Sequence, residues 1–183
     1  MAQILADRLL EYFGSISRVF SASGFAQARA MGEWPEVIEI LAACREAMLA
    51  AASEEVREQP VLANWSSLTT YLQISMSSLT SEQFRALFLD CRNRLISDDM
   101  IWNGTLTTTH FNVRDIIVRS IDICAAAVIV AHNHPSGDAT PSRADIIATR
   151  MLSQALSTVD VNLHDHVIVC RGQSYSLKGN GLM

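Results

Sequence analysis

The chain has 183 residues, of which 49% are hydrophobic and 18% charged, and a formal net charge of −5. That length fits one core of ordinary size, roughly 100 to 150 residues, plus a small appendage, with two domains as the upper bound. The composition excludes a disordered chain, and the acid concentrated in Glu33, Glu36, Glu39, Glu46, Glu54, Glu55 and Glu58 opposes nucleic-acid binding, which draws its affinity from a basic face.

The opening MAQILADRLLEYF lacks a basic n-region, and Asp7 and Glu11 interrupt its apolar run. No later stretch reaches the ~20 apolar residues of a membrane span, so a cytoplasmic protein without a membrane partner is expected. Cys44, Cys91, Cys124 and Cys170 form no C-x-x-C pair, which opposes both a disulfide framework and a cysteine zinc site. Buried thiols are expected.

In chain order, Ile4, Leu5, Leu9, Leu10 and Phe13 recur at helical spacing until Gly14 stops the pattern. SISRVFSAS reads as a short second helix, and Pro35 opens a longer one through VIEILAACREAMLAAASEEV. REQPVL, containing Pro60, reads as a linker or edge strand. SSLTTYLQISM then predicts a helix, FRALFLD and RLISDDMIWN two strands, and VRDIIVRSIDICA an amphipathic helix with Val113, Ile116, Ile117, Ser120 and Ile121 on one face. AAAVIVA, apolar throughout, predicts a strand covered on both sides. SRADIIATRMLSQALS predicts a helix, and VNLHDHVIVC and QSYSLK two closing strands. The class is therefore α/β or α+β, a mixed sheet flanked by helices. The expected division is a helical segment over 1–59 and the mixed domain over 60–183.

His132 and His134 stand two apart where AAAVIVA runs out into a loop rich in Pro, Ser and Gly. On an extended backbone that spacing turns both imidazoles to one face, whereas on a helix it would splay them. Ser142 and Asp145 follow at the start of the next helix, close enough for Asp145 to serve as a third ligand. Two histidines and a carboxylate with the fourth position left to water form the pattern of a catalytic zinc site, one ion per chain. Ser142 and Asp145 also fit the capping-box spacing, which by itself would account for both.

The string HNHPSGDATPSRAD resembles the motif of the JAMM or MPN-plus metalloproteases, His-x-His, seven residues, then Ser-x-x-Asp. Its wording, together with LFLDCRNRLISDDMIWNGT, VRDIIVRSIDICAAAVIVA and HDHVIV, is similar to the bacterial RadC family within that group, from Pro60 to the C-terminus. The resemblance implies a JAB/MPN, cytidine-deaminase-like fold, with His132, His134 and Asp145 holding zinc and Ser142 stabilising an oxyanion. It implies hydrolysis of a peptide or isopeptide-like amide. The family's general base is a glutamate, which this reading places on RLISDDMIW, where Asp99 stands instead. Asp99 is one methylene shorter, so activity is in doubt and a metal-binding scaffold without catalysis is the rival expectation. Asp98 should face away. For Asp165-His166 an acid–imidazole bond, a role behind the metal ligands and a polar pair fixing the strand end all stay open. His164 and His110 are expected at the surface and Cys170 in the core.

The family's amino-terminal module is a DNA-binding helix-hairpin-helix, and ADRLLEYFGSISRVFSAS with ARAMGEWPEVIEIL is similar to it. Its hairpin needs two glycines around an apolar residue so that backbone N–H groups reach a phosphate. Here Gly32 is followed by Glu33 and Trp34, an acid and a bulky ring. A degenerate module serving packing or protein contacts is expected, with nucleic-acid binding or a repair role the lesser alternative. Trp34 and Trp65 are expected to be core or interface aromatics rather than base-stacking ones.

Overall fold

In the computed structural model, which describes residues 2–32, 34–104 and 112–183, helices come first and a mixed sheet follows. The helices α1 (Ala2–Phe13), α2 (Ile16–Ser21), α3 (Gly24–Ala30) and α4 (Pro35–Glu58) fill the first sixty residues. Gly14, at φ +81°, ends α1 in a conformation other residues resist, and the Ser15 and Ser23 hydroxyls cap α2 and α3 by accepting from Arg18 N and Ala26 N. The break that makes α3 separate from α2 was not anticipated from sequence. Leu9, Val19, Ala30, Met31 and Leu41 form a small core there, and Trp34 packs against it half-buried. Glu33 lies outside the described residues.

REQPVL forms no strand: α4 runs to Glu58, and Pro60–Ala63 is a turn whose Val61 N donates to Asn93 O, in the connection between the first two strands. Then come α5 (Trp65–Met76), β1 (Glu82–Leu89), β2 (Leu95–Gly104), α6 (Val113–Asp122), β3 (Ala127–Asn133), α7 (Arg143–Ser157), β4 (Asn162–Cys170) and β5 (Gln173–Ser176). The strands form one sheet in the order β2-β1-β3-β4-β5, antiparallel except for the β3–β4 pair, which α7 connects. The mixed α/β class read from the sequence is thus the class observed.

Every residue of β3 is buried, as its uninterrupted apolar run requires of a central strand covered on both sides. On one side Leu87, Leu89, Ile129, Ala131, Val167 and Val169 pack under Leu68, Leu72 and Met76 of α5, joined by Val56 of α4. On the other, Ala86, Phe88, Val128 and Val130 pack under Ile116 of α6 and Leu152 and Leu156 of α7. Each such fully buried leucine or isoleucine contributes about 1.5–3 kcal/mol. Among the apolar positions expected on α6's inner face, Ile121 is exposed instead, while its neighbour Ser120 is the residue of that turn that is buried.

The cysteines need a correction. Cys170 is buried, but Cys44, Cys91 and Cys124 are exposed. Cys44 lies on the outer side of α4, Cys91 in the β1–β2 turn, and Cys124, at φ +54°, in the turn after α6. Among the described residues no helix is long and apolar enough to cross a membrane.

Candidate metal centre

The pairing of β3 decides where its histidines go. His132 lies opposite Phe84 of β1 and Ile168 of β4. His134 N donates to Val169 O, so the backbone stays extended one residue past the strand and both imidazoles emerge on the α6–α7 side. The chain then turns at Gly137, φ +89°, which brings the Asp138 carbonyl back to accept from His134 Nδ1 at 2.7 Å. Ser142 and Asp145 open α7 with a complete capping box: Asp145 N donates to Ser142 Oγ and Ser142 N to Asp145 Oδ2. The same carboxylate lies 3.7 Å from His132 Nε2 through Oδ1 and 3.9 Å from His134 Nε2 through Oδ2. Capping and an approach to the histidines are not alternatives here; one aspartate does both.

A chain of hydrogen bonds fixes which ring nitrogens carry protons. Thr149 Oγ1 lies 2.6 Å from the Asp145 carbonyl, to which it can only donate. It therefore accepts from His166 Nδ1 at 2.5 Å, leaving His166 Nε2 without a proton. That nitrogen is 2.6 Å from His132 Nδ1, which must donate to it. His134 Nδ1 likewise donates to the Asp138 carbonyl. Both Nε2 atoms are consequently lone pairs, and they face each other at 2.9 Å. Two lone pairs at that distance repel unless a cation sits between them and the nearby carboxylates, so these donors fit a metal ion. Burial drives His132 down to about 4 and His166 well below the ordinary histidine range, which keeps both rings neutral, as ligation and its support require.

The second carboxylate is Glu82, the first residue of β1, buried, with Oε1 4.0 Å from His132 Nε2. Glu82, His132 and His134 place ligand-type atoms within 4.8 Å of one another and could hold a metal ion. Burial raises the Glu82 carboxyl, with the Asp145 charge adding to the rise and His134 opposing it.

Asp99 is elsewhere. Its carboxylate accepts from Arg119 Nε of α6 at 2.7 Å and from the Ser97 hydroxyl. It pairs with Ala86, and Ala86 with Val130, so Asp99 is two strands and two residues away from His132, on the order of 10 Å. β1, not β2, borders the histidine strand, and the carboxylate beside the imidazoles is Glu82. The sequence reading began that strand at Phe84 and so passed over Glu82. Alternation from Phe84 puts Glu82 on the same side of β1, but that this side meets His132 follows only from the pairing of β1 with β3. Asp98 faces away as expected, held by Tyr71 OH at 2.6 Å and by Arg85.

Asp165 and His166 part company. The Asp165 carboxylate accepts from His166 N, Lys178 N and the Ser176 hydroxyl, tying down the last turn of the chain, and makes no bond to the imidazole. The His166 ring instead backs His132. His164 is half-buried against Asn93, and His110 lies outside the described residues.

A mixed sheet with paired histidines at the end of its central strand and carboxylates from β1 and α7 defines a JAB-type domain. A family model described as "RadC-like JAB domain" matches residues 62–182, and the chain belongs to that family. It is 36% identical over 179 residues to a UPF0758 protein of Rhodobacter capsulatus, covering 98% of this chain and 84% of the relative. It is 40% identical over 184 residues to a UPF0758 protein of Variovorax paradoxus (strain S110), covering 98% and 80%.

Proposed function

We propose that this protein is a zinc-dependent metallohydrolase that cleaves a peptide or isopeptide-like amide. The observation that carries the proposal is the convergence of two imidazole lone pairs, at 2.9 Å, with two carboxylates, at the end of a buried strand. Two imidazoles and a carboxylate around an open position are a donor set suited to zinc. His132, His134 and Asp145 would hold the ion, Asp145 being the carboxylate that approaches both Nε2 atoms. When bound, zinc supplies Lewis acidity, polarising the amide carbonyl and acidifying water.

Glu82 then serves as the base. It takes a proton from the attacking water and delivers it to the leaving nitrogen, a role that suits a buried carboxyl whose proton affinity burial has raised. Ser142 Oγ accepts from Asp145 N, so its own O–H is free to donate to the developing oxyanion. The scaffold alternative rested on Asp99 standing where a glutamate was needed, and with Glu82 beside the histidines that ground falls away. A peptide or protein substrate follows from the amide chemistry, and the acidic first sixty residues keep nucleic acid the weaker partner.

The test is metal analysis of protein purified without added metal, together with hydrolysis of a peptide library. About one zinc per chain, lost in a His132→Ala, His134→Ala double variant along with cleavage, is expected. Full zinc occupancy in that variant would sink the proposal.

A further inference from the structure

Asn133, between the two histidines, points away from them. It is 2% exposed, its Oδ1 accepts from Gln83 N at 2.8 Å, and its Nδ2 donates to Ser81 O at 3.0 Å. Those are the backbone groups of the residues on either side of Glu82. The β1–β3 ladder has its last pair at Phe84 and His132, so beyond it the two strands are joined by this side chain. Only a primary amide of this length offers a donor and an acceptor together at that reach; aspartate lacks the donor and serine is too short for both.

We infer that Asn133 is a positioning residue, which fixes Glu82 against the histidine pair by clamping the chain on both sides of it. The outer two residues of His132-Asn133-His134 then present ligands, while the middle one sets where the base stands. Because His132 and Asn133 end β3 and His134 continues its extended backbone, the base keeps its register with the ligands. A displacement of about 1 Å can cost on the order of 100-fold in rate, which is the scale of what such a clamp protects. The inference rests on the hydrolase reading above.

The experiment compares wild type, Asn133→Ala, Glu82→Gln and the double variant, each loaded with Co2+ as a spectroscopic substitute for zinc. Two quantities are read: kcat and KM on a responsive library peptide, and the pH midpoint of the cobalt visible bands. Asn133→Ala is expected to keep close to one Co2+ per chain and to lose roughly 10- to 100-fold in kcat with KM little changed. Its cobalt midpoint should move in the same direction as that of Glu82→Gln. In the Glu82→Gln background the second substitution should add nothing, as holds for two residues acting through one group.

Equal losses in both backgrounds, or a cobalt midpoint that moves in Glu82→Gln but not in Asn133→Ala, would overturn the inference while leaving the hydrolase reading intact. A wild-type protein that takes up no Co2+ would overturn both. Should Asn133→Ala fail to fold, Asn133→Asp, which keeps the shape and the acceptor for Gln83 N, carries the same comparison.

Discussion

Arg119 of α6 and Asp99 of β2 form an ion pair at 2.7 Å, with 42% and 27% of their side chains exposed. A pair this wet contributes about 0–1 kcal/mol. Asp99→Ala and Asp99→Glu should therefore leave hydrolysis within about twofold of wild type and metal content unchanged, with a small shift in melting temperature. A rate that rises strongly in Asp99→Glu would return the base to β2.

Glu82→Gln makes the opposite prediction. It keeps size and burial but cannot take a proton, so metal should stay bound while hydrolysis falls on the order of 100-fold or more. Asp145→Ala should lose the metal itself. Metal analysis of the two variants separates base from ligand, and zinc that leaves with Glu82→Gln and stays with Asp145→Ala would exchange the roles.

The helix start was legible: Ser142 and Asp145 announced a cap, and the capping box positions the carboxylate that faces the imidazoles. The H-x-H pair was legible too, because alternation along one strand is local. Glu82 was not, since which strand lies beside β3 is a matter of pairing between distant segments, and periodicity inside FRALFLD carries nothing about its neighbour. Which of the roles open to His166 it takes was not legible for the same reason: its partners, Thr149 and His132, come from α7 and β3. The exposed Cys91 and Cys124 sit in turns, where local chain reversal outweighs the usual preference of cysteine for the interior.

Thr149→Val tests the proton chain. The change is close in size but removes the hydroxyl that accepts from His166 Nδ1, leaving a buried N–H unpaired at a cost of about 1–3 kcal/mol. It also frees the His166 ring to turn, so His132 loses its orienting partner. Zinc affinity should fall about 10- to 100-fold, as for other groups that orient metal-bound histidines. Competition with a chromophoric chelator measures it, and an unchanged affinity would show that His132 is held without the relay.

Acid should destabilise the metal-free protein early. Burial holds His132 at about 4 and His166 well below 6.5, while the unfolded chain takes up those protons near 6.5. Between those limits the unfolded state binds more protons, so stability is full above about 6.5 and declines as pH falls, by up to ~1.4 kcal/mol per pH unit for each histidine. Glu82, raised by burial, has the opposite sign, its contribution being lost as pH rises. Two histidines against one carboxyl leave a net loss on acidification. Melting temperatures of chelator-treated protein between pH 7.5 and 5 measure it, and a flat profile would contradict it.

Trp34 packs half-buried against the cluster formed by Leu9, Val19, Ala30, Met31 and Leu41, so its ring is engaged in the helical core. DNA binding near physiological salt should be weak and fall steeply as salt rises. Trp34→Ala should lower thermal stability, in keeping with the loss of a packed aromatic. A titration showing tight binding that Trp34→Ala abolishes, without loss of stability, would give that ring to a base.

The strand that carries His132 is paired from Ala127 to His132 on both sides, to β1 and to β4, and all of its residues are buried. Segments of that kind open only when the whole molecule does. Backbone amides from Val128 to His132 should accordingly be among the slowest to exchange with solvent deuterium. Heat or denaturant would then release the ion in the same step that unfolds the chain, so loss of metal could report global unfolding directly.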